Sequence, residues 1–290
     1  MPQKKRFGDR YEGRRLRTLD PVSIVSPYIM KTRSGSQNLL MDEIKLSPID
    51  EYLARKKQEG FKGISYMHVI VAAYIRAVSQ YPSINRFISG QRIYKRDKIV
   101  VAMTIKQKMS IESPDTAIKV CFDPDATIDD VYYAFEKAIK DYREQPDSDF
   151  DSIAGVLRHF PGLLLKFFIG TLCFLDYFGL MPKAIVNLSP FHSSMYITNL
   201  GSLGIPPVYH HLYNFGNVPI FLAFGAKKRR NEIADDGSVI KQTYIDLSYV
   251  LDERICDGYY FGAAYKFMRK VFKNPSILDE KPESVAQDID

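Results

Sequence analysis

The spacing of apolar and polar positions divides the first half of the chain into alternating strands and helices. Residues 37–47 are predicted to form a strand, and residues 48–60 a helix with Pro48 in its first turn and Gly60 at its end. Residues 66–82 have a broad apolar face, which predicts a buried helix that stops at Pro82. Residues 98–106 and 116–122 are rich in β-branched residues and are predicted strands, and residues 128–144 are a predicted helix.

The second half of the chain contains further predicted strands and one more helix. Residues 193–204 are a predicted strand that enters a glycine-rich turn. Residues 218–229 and 239–251 are predicted to form a hairpin, with Asp236 and Gly237 supplying the turn. An amphipathic helix follows over about 257–273 and ends at Asn274–Pro275. Hairpin-paired strands mixed with long covering helices predict an α+β layered domain whose sheet is largely antiparallel or mixed.

Composition is typical of a globular protein. The 290 residues are 46% hydrophobic and 26% charged, and this length allows one large domain or two modest ones, of which one domain with appendages is favoured. The net charge is +6, and much of the excess lies in the first 17 residues. We expect a basic arm over 1–19, a domain over 20–278 and an acidic tail over 279–290. No nucleic-acid-binding module follows the arm, so a solvated arm is favoured over contact with nucleic acid or anionic lipid.

The cysteines and the N-terminus indicate the compartment. The three cysteines have no C-x-x-C spacing, which argues against a disulfide framework and against a zinc site. No apolar segment follows the basic start, as a secretory signal would require. We therefore expect a cytoplasmic protein.

Residues 160–182 form a long apolar segment within a predicted insertion over 153–182. Lys166 and Asp176 leave nine residues between them, whereas a membrane span needs about 20 predominantly apolar residues. A buried or interface-forming helix is the favoured interpretation, and docking on a membrane surface is the alternative.

An acidic stretch, 123-DPDATIDD-130, resembles the first half of a calcium loop. Ile128 and Ala134 stand where such a loop needs glycine and glutamate. Thr127 and Asp130 instead predict a capping box that opens the helix over 128–144. No metal is expected.

Several common catalytic motifs are absent from the sequence. It has no G-x-x-x-x-G-K-[ST], no G-x-G-x-x-G, no H-E-x-x-H and no G-x-S-x-G. Nucleotide hydrolysis, dinucleotide redox chemistry and zinc proteolysis are therefore unsupported. His68 lies on an apolar helix, so we interpret it as a core residue rather than a ligand.

The order of elements, together with the stretches YITNLGSLG, IFLAFG and DERICDG, resembles one known family. It is similar to the acyltransferase catalytic domain of 2-oxo acid dehydrogenase complexes, which shares its fold with chloramphenicol acetyltransferase. The resemblance covers about residues 20–278. It implies a two-layer sandwich in which helices cover a mixed sheet, and a homotrimer whose sites lie between subunits.

The resemblance also implies roles for particular residues. In the family a histidine takes a proton from a thiol, and a serine or threonine hydroxyl stabilises the tetrahedral oxyanion. Thr198, followed by Asn199, matches that hydroxyl. Asp257 and Gly258 match the Asp-Gly of the histidine motif, and Arg33 loosely matches the arginine that pairs with its aspartate.

The chain departs from the family at the base, because Glu253 stands where the motif has histidine. A glutamate titrates about two units below a histidine and starts roughly 3 kcal/mol weaker as a base. Three interpretations are open. In the first, Glu253 is a structural or ion-pairing residue in a catalytically reduced homologue. In the second, it is a substituted general base. In the third, another histidine occupies the active site and acts as the base. His210 and His211 are the candidates for that histidine, and an ordinary surface or interface pair is their alternative.

The sequence therefore predicts an acyltransferase-type protein with coenzyme A as a substrate, transferring an acyl group to a thiol or another small acceptor. Residues 1–290 show no lipoyl-type domain and no swinging linker, so we expect the acyl group to come from a diffusing donor or an acyl-carrier partner. No bound lipoyl group is expected. The alternative is a non-catalytic trimeric scaffold or binding subunit. A variant of this alternative is a scaffold that associates with the surface of a membrane.

Overall fold

The computed structural model describes residues 5–106, 115–144, 155 and 157–290. The polar stretch 145–152, which the sequence indicates to be a linker, lies outside the described residues. The strands are β1 (Gly13–Arg15), β2 (Gln37–Lys45), β3 (Arg86–Ser89), β4 (Arg92–Arg96), β5 (Ile99–Lys106), β6 (Asp115–Phe122), β7 (Met195–Asn199), β8 (Ile220–Phe224), β9 (Lys228–Ile233) and β10 (Val239–Asp252). The helices are α1 (Pro21–Ile29), α2 (Ser47–Gln58), α3 (Tyr66–Gln80), α4 (Ile128–Glu144), α5 (Gly162–Phe178), α6 (Lys183–Leu188) and α7 (Gly258–Lys273).

The main sheet is mixed. Its strand order is β2-β10-β8-β7-β5-β6, and β9 pairs with the first half of β10. The pairs β5–β7 and β7–β8 are parallel, and the other pairs are antiparallel. A small second sheet has the order β1-β4-β3. The predicted mixed sheet covered by helices is confirmed.

The two faces of the main sheet are covered differently. Alternate residues of its strands, such as Ile197, Leu222 and Tyr249, pack with α2, α3, α4 and α7 in the large core. The intervening residues, such as Tyr196 and Phe221, form a smaller cluster under the segment 205–218. Thr198 lies on this second face, because it follows Tyr196 by two residues on β7.

Local sequence signals account for several element ends. Thr127 and Asp130 form the predicted capping box, with the Thr127 amide donating to Asp130 Oδ2 at 2.8 Å and the Asp130 amide donating to Thr127 Oγ1 at 3.4 Å. His68 is buried in α3, and its Nδ1 accepts from the Ser65 amide at 3.1 Å. The interpretation of His68 as a core residue is confirmed.

The predicted hairpin over 218–251 is confirmed, with a break in its first strand. Residues 218–229 do not form one strand, because β8 ends at Phe224 and β9 begins at Lys228. A Cβ on Gly225, the first residue of the break, would lie 2.4 Å from Pro207 Cδ, so a larger residue has no room at this position. The Asp236–Gly237 turn joins β9 to β10, and β8 continues along the same edge of β10 with the pairing register shifted by one residue. β2 occupies the opposite edge, since Tyr244 pairs with both Lys228 of β9 and Lys45 of β2.

The two chain ends pack together. The amides of Arg17 and Thr18 both donate to the Asp290 carbonyl, at 3.2 and 3.0 Å. Arg86 holds the buried carboxylate of Asp288 through two nitrogens, at 2.8 and 2.5 Å. The described part of the basic arm and the acidic tail are thus fixed on the domain rather than simply solvated.

Helix α5 stands apart from the core. Leu172 is buried, and most of the remaining α5 side chains are exposed. The helix is therefore not buried within one chain, which leaves an interface or a membrane surface. Among the described residues, no helix combines the length and hydropathy needed to cross a membrane.

Candidate functional site

A buried ion cluster fixes the end of β10. Asp252, only 1% exposed, accepts hydrogen bonds from Arg254 Nε and Nη2, both at 2.7 Å. Arg33 Nε lies 3.6 Å from Asp252 Oδ2, and both arginines are buried. The carboxylate is therefore held between two guanidinium groups.

The same arginines tie three other segments to this cluster. Arg33 donates to the Tyr213 carbonyl at 2.7 Å and to the Ile88 carbonyl at 3.0 Å. Arg254 donates to the Met30 carbonyl at 2.8 Å. Burial lowers the pKa of Arg33 to about 10, against the opposing effect of Asp252, so the group stays charged at neutral pH.

Glu253 points outward from this rigid turn. Its side chain is exposed, while Asp252 and Arg254 on either side are buried. Its backbone amide donates to the Ser36 carbonyl at 2.8 Å, which fixes the backbone. The turn therefore displays a carboxylate on the surface of one chain.

Asp257 has a different task from the one implied by the resemblance. Its side chain is exposed and accepts from the Tyr260 amide at 2.8 Å, so it caps α7, whose first residue is Gly258. Arg33 pairs with Asp252 instead of Asp257. The reason is geometric, because Asp252 points into the protein while the Asp257 carboxylate is occupied at the helix N-terminus.

Thr198 lies near the end of β7 on the second sheet face. It is half-buried and pairs with Ala223 of β8. The adjacent Asn199 shapes the following turn, with its Oδ1 accepting from the Ser202 amide at 3.1 Å.

Strand register separates Thr198 from Glu253. Thr198 is level with Ala223, which is level with Ser248 of β10, and Glu253 comes five residues later. With about 3.3 Å per residue and 4.8 Å between strands, the two backbones are roughly 19 Å apart. The two residues cannot touch one reacting group within a single chain.

His210 lies on the same sheet face as Thr198. Its ring stacks on Phe221 with centroids 4.4 Å apart, and Phe221 pairs with Tyr196, two residues before Thr198. Burial and then the neighbouring His211 lower the pKa of His210, which favours the neutral imidazole. Among the described residues its buried Nε2 has no hydrogen-bond partner, whereas His211 is exposed.

The structure also reveals a polar pair that sequence reasoning missed. His192 is buried, with Nδ1 2.9 Å from Ser189 Oγ and Nε2 3.9 Å from Asp176 Oδ1. Burial raises the pKa of Asp176, but His192, Arg10 and Arg33 outweigh that effect and the net pKa is lowered. Asp176 lines a cavity of about 290 Å³ together with Arg33 and Arg254. The stretch SPFHSS around His192 matches no motif that would have drawn attention to it.

The described part of the chain holds no cluster of three or more His, Cys, Asp or Glu residues able to bind a metal. The side chains described above offer hydroxyl, imidazole, carboxylate and guanidinium groups. These groups can transfer protons and stabilise an oxyanion.

No protein-family model and no curated protein matches the sequence. Solved structures do match. A dihydrolipoamide acetyltransferase from Azotobacter vinelandii has a TM-score of 0.55 and 11% identity, covering 89% of this chain and 88% of that one. A probable dihydrolipoamide acetyltransferase from Listeria monocytogenes has a TM-score of 0.53 and 16% identity, covering 89% and 94%.

Chloramphenicol acetyltransferase has a TM-score of 0.51 and 11% identity, and it covers 90% of this chain and 100% of its own. These identities are too low to carry residue roles, but the coverage includes nearly the whole chain. The protein therefore has the fold of the dihydrolipoamide acetyltransferase catalytic cores and of chloramphenicol acetyltransferase.

Proposed function

We propose that the protein transfers an acyl group from a coenzyme A thioester to a thiol or another small acceptor, at a site shared between subunits of a homotrimer. The observation that carries this proposal is the separation of Thr198 and Glu253 across the sheet. Each lies at an opposite end of the strands, so a second copy must supply one of them to any site that uses both.

The similar structures support the reaction class. The Azotobacter enzyme uses a serine, a histidine and an asparagine in its catalytic mechanism. The motif resemblance matches Thr198 to the family's hydroxyl and Glu253 to the position of its histidine. A hydroxyl and a proton-accepting group are thus retained in kind, although the imidazole is replaced.

The reaction can be written with these groups. The Glu253 carboxylate takes the proton of the acceptor thiol, and the thiolate attacks the thioester carbonyl carbon. The Thr198 hydroxyl of the neighbouring subunit donates a hydrogen bond to the resulting oxyanion. Collapse breaks the carbon–sulfur bond to coenzyme A, and the leaving thiolate takes the proton back from Glu253.

The substitution predicts a slow enzyme. A carboxylate of ordinary pKa is about two units less basic than imidazole, about 3 kcal/mol, which corresponds to a rate roughly a hundredfold lower. Glu253 is exposed in the single chain, so contact with a neighbouring subunit would bury it. Burial raises a carboxyl pKa and so recovers part of the base strength.

A non-catalytic trimeric scaffold is the second candidate. The observation that favours it is the self-contained Asp252–Arg33–Arg254 cluster, which fixes the turn without any contribution from the Glu253 side chain. In that case the fold is retained for assembly and the carboxylate has no catalytic task.

One assay separates the two candidates. Purified protein is incubated with acetyl-coenzyme A, with and without dihydrolipoamide, and released thiol of coenzyme A is followed by chromatography. Acceptor-dependent release that Glu253→Gln abolishes and Glu51→Gln preserves supports acyl transfer, since Glu51 is an exposed glutamate on α2. Absence of release from a protein that light scattering shows to be trimeric supports the scaffold, and a monomer contradicts both.

A further inference from the structure

Helix α5 exposes an unusually large apolar surface. Nine large apolar side chains between Leu163 and Leu180 are at least 37% exposed, with Leu163 at 85% and Phe167 at 72%. Aromatic and large aliphatic side chains present about 150–250 Å² each, so the exposed apolar area is on the order of 1,000 Å². The largest apolar patch of a typical monomer is about 300–600 Å².

The exposed helix is firmly attached to the domain. Arg10 donates to the carbonyls of Asp176 and Tyr177, the second at 2.8 Å. The Tyr177 hydroxyl donates to Gln91 Oε1 at 2.8 Å. Leu172 packs with residues of the following loop and of α6. The apolar surface is therefore a fixed part of the fold.

The exposed charges of the segment 157–190 share one sign. Between residues 157 and 190 the charged side chains are Arg158, Lys166, Asp176 and Lys183. Asp176 is turned inward, where His192 and Arg10 lie close to it. The three cations are exposed, so the exposed charges of the segment 157–190 are all positive.

The positive charge of this segment favours an acidic lipid surface over a second copy of the chain as the binding partner of α5. A second copy of the same face would bring Arg158, Lys166 and Lys183 against the same cations, with no exposed acid of this segment between them. An acidic lipid surface offers both an apolar interior and a negative headgroup layer. The long Lys166 side chain can reach the headgroups while the aromatic rings beside it enter the interface.

We propose that α5 docks the protein on the surface of membranes that contain anionic phospholipid, with Phe167, Phe174 and their apolar neighbours inserted at the acyl-chain boundary. The three cations lie against the headgroups. This docking does not depend on the acyl transfer proposed above, and it fails or stands separately from it.

The absence of tryptophan allows a direct test with the full-length chain. Phe174→Trp places a single fluorophore on α5, and Val22→Trp places one on α1, where Val22 is 78% exposed. On addition of phosphatidylcholine–phosphatidylglycerol vesicles we expect a blue shift for Phe174→Trp and none for Val22→Trp. The same spectrum for Phe174→Trp with and without vesicles overturns the proposal.

Vesicle co-sedimentation measures how much Phe167 and Lys166 contribute to binding. Phe167→Ser should weaken binding about tenfold or more, because a largely exposed ring no longer enters the lipid. Lys166→Gln should weaken it about fivefold on acidic vesicles. Val22→Ser is the matched control and should bind like the original protein.

Three results would contradict the docking of α5 on anionic membranes. Binding that Phe167→Ser leaves unchanged shows that α5 is not the docking surface. Equal binding to pure phosphatidylcholine contradicts the choice of an acidic surface. If vesicles are not bound and light scattering shows an assembly that Phe167→Ser dissociates, a second copy occupies α5 and the proposal is wrong.

Discussion

Replacing Asp252 with asparagine removes the negative charge from the centre of a buried cluster. Arg33 and Arg254 are 6% and 5% exposed, so neither guanidinium can turn to water without unpacking the surrounding segments. Breaking a buried pair by removing one partner costs about 3–5 kcal/mol. For a chain of this size each kcal/mol lowers the melting temperature by roughly 2–4 °C, so we expect a fall on the order of 10 °C.

Thermal unfolding followed by circular dichroism measures this effect. The control is Asp125→Asn, which breaks the exposed pair of Asp125 with Lys281 at 2.7 Å. An exposed pair contributes about 0–1 kcal/mol, so this variant should melt within a few degrees of the original protein. If the two variants melt at the same temperature, the cluster does not stabilise the turn that displays Glu253.

Three further changes test the site and the core. Glu253→His should raise the acyl-transfer rate by up to about a hundredfold, since imidazole is the stronger base; an unchanged rate in the transfer assay would argue against proton transfer at this position. Thr198→Val should lower kcat about a hundredfold by removing the donor to the oxyanion, while a change in KM alone would contradict that role. Burial lowers the pKa of His68 to about 4. Between about pH 6.5 and 4 the unfolded chain therefore binds a proton that the folded protein does not. The free energy of unfolding falls as the pH is lowered through this range, by an amount on the order of 3 kcal/mol. His68→Gln should flatten this dependence in urea unfolding, and parallel curves would refute it.

Local patterns predicted the elements whose ends depend on nearby residues. The capping box at Thr127 and the stop of α7 before Pro275 are set by interactions within a few positions. The close approach of Pro207 to Gly225 at the break between β8 and β9 could not be predicted in this way, because Pro207 belongs to a distant segment. The partner of Arg33 likewise depends on which aspartate the fold turns inward.

The hairpin of β3 and β4 shows a signal that could have been used. β3 and β4 pair antiparallel and are joined by Gly90 and Gln91. These two turn residues have positive φ angles of 55° and 56°. A two-residue turn of this kind is typical of tight hairpins, and a glycine in it is readable from sequence. His192 offers no such signal, since its contact with Asp176 exists only after α5 folds back on the domain.

Mixed trimers test most directly whether the site is shared between subunits. Glu253→Gln and Thr198→Val chains are assembled together in equal amounts, and acetyl transfer is compared with that of each variant alone. A shared site takes Thr198 from one subunit and Glu253 from its neighbour, so about a quarter of the sites in random trimers are intact. We predict about a quarter of the original activity in the mixture; activity no higher than that of the separate variants would contradict the shared site.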